Sequence, residues 1–396
     1  VKSKDISIYF KPLPEDLALL LQTNENNSGR LTDYINGFVN ENNFPDWESS
    51  KIVLIGVNED RNSENKGCSM APNSIRRSLY NLYTQKLGFR IADLGNINAG
   101  HTINDTFYAL STAIKEIIKK NKTIIVLGGT QNLTYACYKA FESLEQVINI
   151  TAIDNRFDIG NDQENCTSNS YLSHIILHQP SFLFNYSNIG YQSYFVSQQE
   201  VDLMDKLYFD AHRLGICQNN LEEIEPIIRN ADIVSIDISS VRKSDAPASL
   251  NATPNGFYGE ELCQLCRYAG FSDKTSVVGF FEVNPQADNG NQTSFLTAEA
   301  IWYFIEGFSN RKQELPISGN DEYTKYRVPI NDSNQHEIVF FKSQKSARWW
   351  MSVPFPPDKQ LKFERHHLVP CSYEDYKIAT NNEIPDRWWQ TYQKLC

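Results

Sequence analysis

From about residue 50 the chain alternates short, continuous apolar runs with stretches of helical periodicity. The apolar, β-branched runs at 51–57, 123–127, 148–153, 189–196, 232–238 and 276–283 predict strands. Between them, 74–82, 105–120, 133–144, 221–230, 259–269 and 297–309 space their apolar residues as helices do. Uninterrupted apolar strands separated by helices predict an α/β fold, a mostly parallel sheet covered on both faces in three α/β/α layers. Ligands of such sheets bind beyond the carboxyl ends of the strands, so chemistry is to be sought in the residues that follow each strand.

The pattern breaks near residue 312. Four of the six tryptophans lie beyond it, as Trp349-Trp350 and Trp388-Trp389, among closely spaced prolines and with poor periodicity. So many aromatic side chains favour burial over disorder. The expected organisation is therefore an N-terminal segment 1–49 packed on the core, an α/β domain 50–311, and an ordered C-terminal extension 312–396.

Composition narrows the function classes. The 396 residues are 41% hydrophobic and 21% charged, with a net charge of −11. An acidic chain without a basic stripe argues against nucleic acid or anionic membrane as partner. No apolar run is long enough to span a bilayer. The first 21 residues mix lysines with Asp5, Glu15 and Asp16 and offer no cleavage signal, so a cytoplasmic setting is expected. The eight cysteines follow no disulfide framework, and Cys263 and Cys266 fall within a predicted helix without a second pair to complete a zinc site.

Four strand ends carry the candidate chemistry. Gly128-Gly129-Thr130-Gln131 follows one strand, and Asp154-Asn155-Arg156-Phe157-Asp158 follows the next. Ser235-Ile236-Asp237-Ile238-Ser239 ends a third, and Glu282-Val283-Asn284-Pro285 ends a fourth. Carboxylates converging at strand ends suit a hard or borderline cation. They equally suit helix capping and bonds to backbone amides, and spacing alone leaves the two readings level.

The ordered set resembles the ureohydrolase family of arginase, agmatinase and formimidoylglutamase, whose corresponding segments read Gly-Gly-Asp-His, Asp-Ala-His-x-Asp, Ser-x-Asp-x-Asp and Glu-x-Asn-Pro. Gly67, Ala71-Pro72, Ile75-Arg76, Thr253-Pro254-Asn255-Gly256, Asp288 and Thr293 add subsidiary matches, so that the resemblance covers about residues 50 to 310. It implies an arginase-like fold and a pair of Mn²⁺ ions activating a hydroxide. Transferred residue by residue, that metal site is degenerate. Gln131 stands for the first His, Arg156 for the second, and Ser239 for the last Asp. Only Asp154, Asp158 and Asp237 survive as carboxylate ligands, and none of the seven histidines occupies a motif position.

One metal position would keep three carboxylates and the Gln131 amide; the other keeps only the two shared aspartates. Arg156 is always protonated and cannot ligate a cation. The expectation is that its guanidinium sits beside Asp154 and Asp237 as an internal salt bridge in place of the metals. Glu282 matches the family carboxylate that receives the substrate's cationic end, and here it is expected to pair with Arg156 or another base. The implied function is a catalytically inactive arginase-fold pseudoenzyme, a binding or structural subunit of a protein assembly, with no cofactor. The tryptophan pairs Trp349, Trp350, Trp388 and Trp389 would be its partner surface, unless they anchor the extension to its own domain. The alternative is a formimidoylglutamase-like hydrolase of linear amidines or guanidines. It would hold one weakly bound Mn²⁺ or Mg²⁺ through Gln131, Asp154, Asp158 and Asp237, with Glu282 positioning substrate. A small-molecule sensor without turnover is a third reading, and homo-oligomers are permitted by the resemblance.

His174 and His178 lie four apart and read as an ordinary helix face, and His366-His367 lacks ligand spacing.

Overall fold

A computed structural model describes residues 5–22, 29–160, 164–316, 322–330, 337–356 and 363–395. Nine strands form one parallel sheet: β1 (Ile35–Gly37), β2 (Ile52–Asn58), β3 (Ile91–Asn98), β4 (Thr123–Leu127), β5 (Ile148–Ile153), β6 (Leu183–Tyr191), β7 (Asp210–Arg213), β8 (Ile233–Asp237) and β9 (Val277–Phe281). Their spatial order is β1-β3-β2-β4-β9-β8-β5-β6-β7, which brings four central strands, β4, β9, β8 and β5, side by side.

Alternation along the strands feeds two apolar layers. Ile52 and Leu54 of β2 pack with helices Ala71–Leu79, Gly259–Phe271 and Gln292–Ser309. Val53 and Ile55 face the opposite layer with helices Ile103–Ile118, Leu133–Glu142 and Tyr171–Leu177. This is the three-layer α/β/α arrangement expected of uninterrupted apolar strands. Gly270 and Gly307 let two of the helices meet backbone to backbone, since a Cβ at either would strike the other helix's main chain.

Several elements differ from the sequence expectation. The strand placed at 189–196 runs at Leu183–Tyr191 instead, and β1, β3 and β7 are additional. The N-terminal segment thus contributes an edge strand, with Ile35 in register with Ile91. The helix expected at 221–230 is a 3₁₀ turn Leu221–Ile224 followed by a short helix Glu225–Arg229, with Pro226 at its start.

The C-terminal residues form a second, antiparallel sheet of β10 (Tyr323–Pro329), β11 (Glu337–Ser343), β12 (Trp349–Ser352) and β13 (Leu368–Cys371). Helices Tyr373–Thr380 and Asp386–Leu395 follow it and share its small apolar core. Polar clasps tie this unit to the main sheet. Arg365 Nη2 reaches Asp232 Oδ1 at 2.8 Å, and His366 Nε2 donates to the Val147 carbonyl at 3.1 Å. Among the described residues no helix is long and apolar enough to cross a membrane.

Candidate functional site

The residues singled out at the strand ends converge at the carboxyl ends of β4, β5, β8 and β9. Gly128 and Gly129 turn the chain off β4 with φ of 77° and 74°, and Gln131 follows them into the cluster. Asp154 directly follows β5, Asp237 closes β8, and Glu282 directly follows β9. Asp158 and Glu282 both hold left-handed backbone, with φ of 55° and 65°. Non-glycine residues adopt this conformation at a cost, and such strain gathers at functional sites.

All four carboxyl groups are buried, Asp154 at 1% exposure and Asp158, the most open, at 8%. Asp154, Asp237 and Glu282 are held by nitrogen donors. Asp154 Oδ1 accepts from the Arg156 backbone N–H at 2.9 Å, and its Oδ2 accepts from Gln131 Nε2 at 2.7 Å. The Asp158 carboxyl lies close enough to Asp154 that each shifts the other's protonation. Asp237 Oδ1 accepts from the Ser239 N–H at 2.6 Å. Glu282 Oε1 accepts from the Gln131 N–H at 2.9 Å and its Oε2 from Asn65 Nδ2 at 3.0 Å.

Burial is the chief influence on their protonation. It raises the pKa of Asp154, and lifts Asp158 and Asp237 well above the usual carboxylate range, with the Asp154 charge adding to both. Burial also pushes Glu282 up to about 7, against the amide hydrogen bonds from Gln131 and Asn65. The cluster therefore retains protons that exposed carboxylates would lose.

Arg156 does not form the internal salt bridge expected of it. Its guanidinium lies over the Phe195 ring at 4.9 Å, and its buried Nε has no hydrogen-bond partner. Among the described residues it makes no ion pair, although its charge still lowers the pKa of Asp154 and Asp158. Glu282 likewise pairs with amides and not with a base. Phe195 sits in the loop after β6.

The two-Mn²⁺ centre implied by the resemblance does not fit these side chains. Gln131 turns a donor, not its oxygen, toward Asp154. Arg156 is turned aside over Phe195, and Ser239 offers only a neutral hydroxyl where the resemblance calls for a carboxylate. Among the described residues no group of three or more His, Cys, Asp or Glu is arranged to hold a metal ion.

Asn65 and Tyr171 also belong to the site. Tyr171 Oη lies 3.3 Å from Gln131 Nε2 and 3.4 Å from Tyr186 Oη. Asn65 lies two residues before Gly67, in a segment that reads only as a subsidiary match and not as ligands, and Tyr171 begins a helix that reads as apolar, so the sequence singles out neither. His174 and His178 pack around Tyr135 away from the site. Cys263 and Cys266 are buried in their helix. Of the four tryptophans, Trp349 is 7% and Trp350 1% exposed, and Trp350 stacks on Arg229 at 4.4 Å. Trp388 is half-buried and donates to the Ser352 carbonyl at 2.9 Å, which leaves Trp389 exposed.

Comparison with known proteins places this geometry. A family model described as the Arginase family matches residues 50–306. Formimidoylglutamase of Staphylococcus aureus (strain MRSA252) is 24% identical over 277 residues, 65% of this chain and 86% of that protein. Formimidoylglutamase of Staphylococcus epidermidis (strain ATCC 12228) is 26% identical over 282 residues, 68% of this chain and 90% of that protein. The crystal structure of formimidoylglutamase from Bacillus subtilis superposes with a TM-score of 0.65 at 19% identity, covering 73% of this chain and 94% of that one. The Trypanosoma cruzi formiminoglutamase structure with Mn²⁺ gives a TM-score of 0.64 at 16% identity, covering 71% and 99%. With the sheet order, the carboxylates at the three adjacent strand ends of β9, β8 and β5 and a family match over most of the chain in agreement, the chain belongs to the arginase family.

Proposed function

We propose that this chain is a pseudoenzyme of the arginase family, one that keeps the fold and the carboxylate cluster but not two-metal hydrolysis. It serves as a binding or structural subunit of a protein assembly. The observation that carries this reading is the 2.7 Å hydrogen bond from Gln131 Nε2 to Asp154. A side-chain donor satisfies the carboxylate that a metal would otherwise neutralise. Arg156 and Ser239 reinforce it, since a guanidinium has no lone pair to offer and a neutral hydroxyl cannot replace a charged ligand.

The N-terminal segment 1–49 and core 50–311 then act as scaffold, and the extension 312–396 faces the partner. Tyr373, Ile384 and Trp389 support that role, as large apolar side chains left exposed on the extension. The described cysteines are free and buried, which fits a reducing, cytoplasmic setting. The test is to express the full chain with manganese, then measure bound metal and turnover of linear amidines and guanidines. This reading predicts no stoichiometric metal and no turnover, and two bound Mn²⁺ with hydrolysis would overturn it.

A second reading is a formimidoylglutamase-like hydrolase of linear amidines or guanidines that uses a single metal ion. It is favoured by four buried carboxyl groups without an ion pair among the described residues, because uncompensated buried charge invites a cation. The formimidoylglutamases among its relatives point the same way. In that case Gln131, Asp154, Asp158 and Asp237 hold the ion and Glu282 orients the substrate.

A further inference from the structure

Strands of a parallel sheet covered on both sides are ordinarily apolar on both faces. One face of β5, β6 and β7 is not. Asn149 and Thr151 on β5, Asn185 and Ser187 on β6, and Asp210 and His212 on β7 share it, and registration puts Thr151, Ser187 and Asp210 in one row. These six side chains line a cavity of about 500 Å³, away from the carboxylate cluster.

The roof of this cavity is the C-terminal helix Asp386–Leu395. Its residues Arg387, Gln390, Thr391 and Lys394 recur at the spacing of one helix face and all line the same space. A polar sheet face and a polar helix face thus oppose each other across a cavity that opens to solvent, with apolar side chains such as Phe184, Val201, Phe209 and Ile227 completing its walls.

The charged groups inside are of both signs. Asp210 Oδ2 accepts from Asn185 Nδ2 at 2.7 Å and from Ser187 Oγ at 2.8 Å, and Lys394 Nζ in turn donates to Asn185 Oδ1. Arg387 Nη1 lies 3.3 Å from Asp375 Oδ2 but makes no hydrogen bond. His212 Nε2 and Asn149 Oδ1 are buried without partners. Buried polar atoms are costly when unpaired, so these two in the lining of one cavity, beside an Arg387 that is ion-paired but not hydrogen-bonded, point to a ligand that completes them. Asp205, Glu383 and Asp386 also line it from exposed positions.

We infer that this cavity binds a compact zwitterion of the amino-acid class. A simple anion would meet the three exposed acids on entry, and a simple cation would meet Arg387 and Lys394 within. An apolar molecule would strip water from the polar sheet face without replacing its hydrogen bonds. A molecule bearing both an ammonium and a carboxylate offers Arg387 and His212 an acceptor and Asp210 a donor. The volume lies in the range of small-molecule sites. The inference is independent of whether the carboxylate cluster hydrolyses anything.

The test is thermal unfolding of the full chain in the presence of each common L-amino acid and glycine betaine at millimolar concentration. At least one should raise the midpoint, by an amount that grows with the logarithm of its concentration. Arg387→Gln and Gln390→Leu, the second on a partly exposed roof position, should each abolish the rise. Glu282→Gln, in the other cluster, should retain it. No rise with any of these probes, or a rise that survives both roof variants, would overturn the inference.

Discussion

Gln131 Nε2 and Asp154 Oδ2 stand 2.7 Å apart, a neutral donor and a buried carboxylate in contact at the centre of the strand-end cluster. The same glutamine donates its backbone N–H to Glu282 at 2.9 Å, so one residue ties two of the four carboxyl groups together. The cluster is thereby held by amide donors.

Replacing Gln131 with Leu keeps approximate volume but removes the donor to Asp154. A buried acceptor left unmatched costs about 1–3 kcal/mol. Denaturant unfolding should show that loss, whereas Gln131→Glu should destabilise further by adding a like charge to the cluster.

The protonation of the cluster sets a pH dependence. Folding raises the pKa of Glu282 to about 7 and raises those of Asp158 and Asp237. The folded state therefore binds protons that the unfolded state releases, and stability falls as pH rises between the unfolded and folded values. The thermal midpoint of metal-free protein should drop from about pH 5 toward pH 8. Glu282→Gln should flatten that slope.

The C-terminal unit docks through Trp350, which is 1% exposed and stacks on Arg229 at 4.4 Å. Trp350→Ala should cost about 3–5 kcal/mol. Trp389, at 46% exposure, belongs to the surface. Its alanine variant should stay within about 0.5 kcal/mol of the parent in denaturant unfolding.

Asp232 is buried between two cations, with Arg365 at 2.8 Å and Lys274 Nζ at 3.8 Å. Asp232→Asn leaves both without their counter-charge and should destabilise by roughly 3–5 kcal/mol. Thermal unfolding of the variant checks this.

How much of this was legible in the sequence follows from how each element is buried. β4, β5, β8 and β9 are continuous apolar runs, and the candidate ligands directly follow them, so strands and site residues could be read together. β3 hides because Asp93 interrupts it; that carboxylate is matched inside the fold by Arg76, with Nε–Oδ2 at 2.7 Å, and by Tyr80. β6 is legible only at its end, and β7 not at all, because Asn185, Ser187, Asp210 and His212 face a polar cavity and not an apolar layer. The C-terminal strands alternate in charge and burial over short lengths, as Tyr323–Pro329 does. The turning of Arg156 toward Phe195 depends on a residue thirty-nine positions away, which no local pattern reveals. The left-handed backbone of Asp158 and Glu282 is equally silent in sequence.

The most direct test of the account is manganese content. The full chain, expressed and purified with Mn²⁺ available throughout, should carry no stoichiometric metal and show no turnover of linear amidines or guanidines. The triple variant Gln131→His, Arg156→His and Ser239→Asp should gain bound Mn²⁺. About two Mn²⁺ per chain in the unmodified protein, with hydrolysis of such a substrate, would contradict the account.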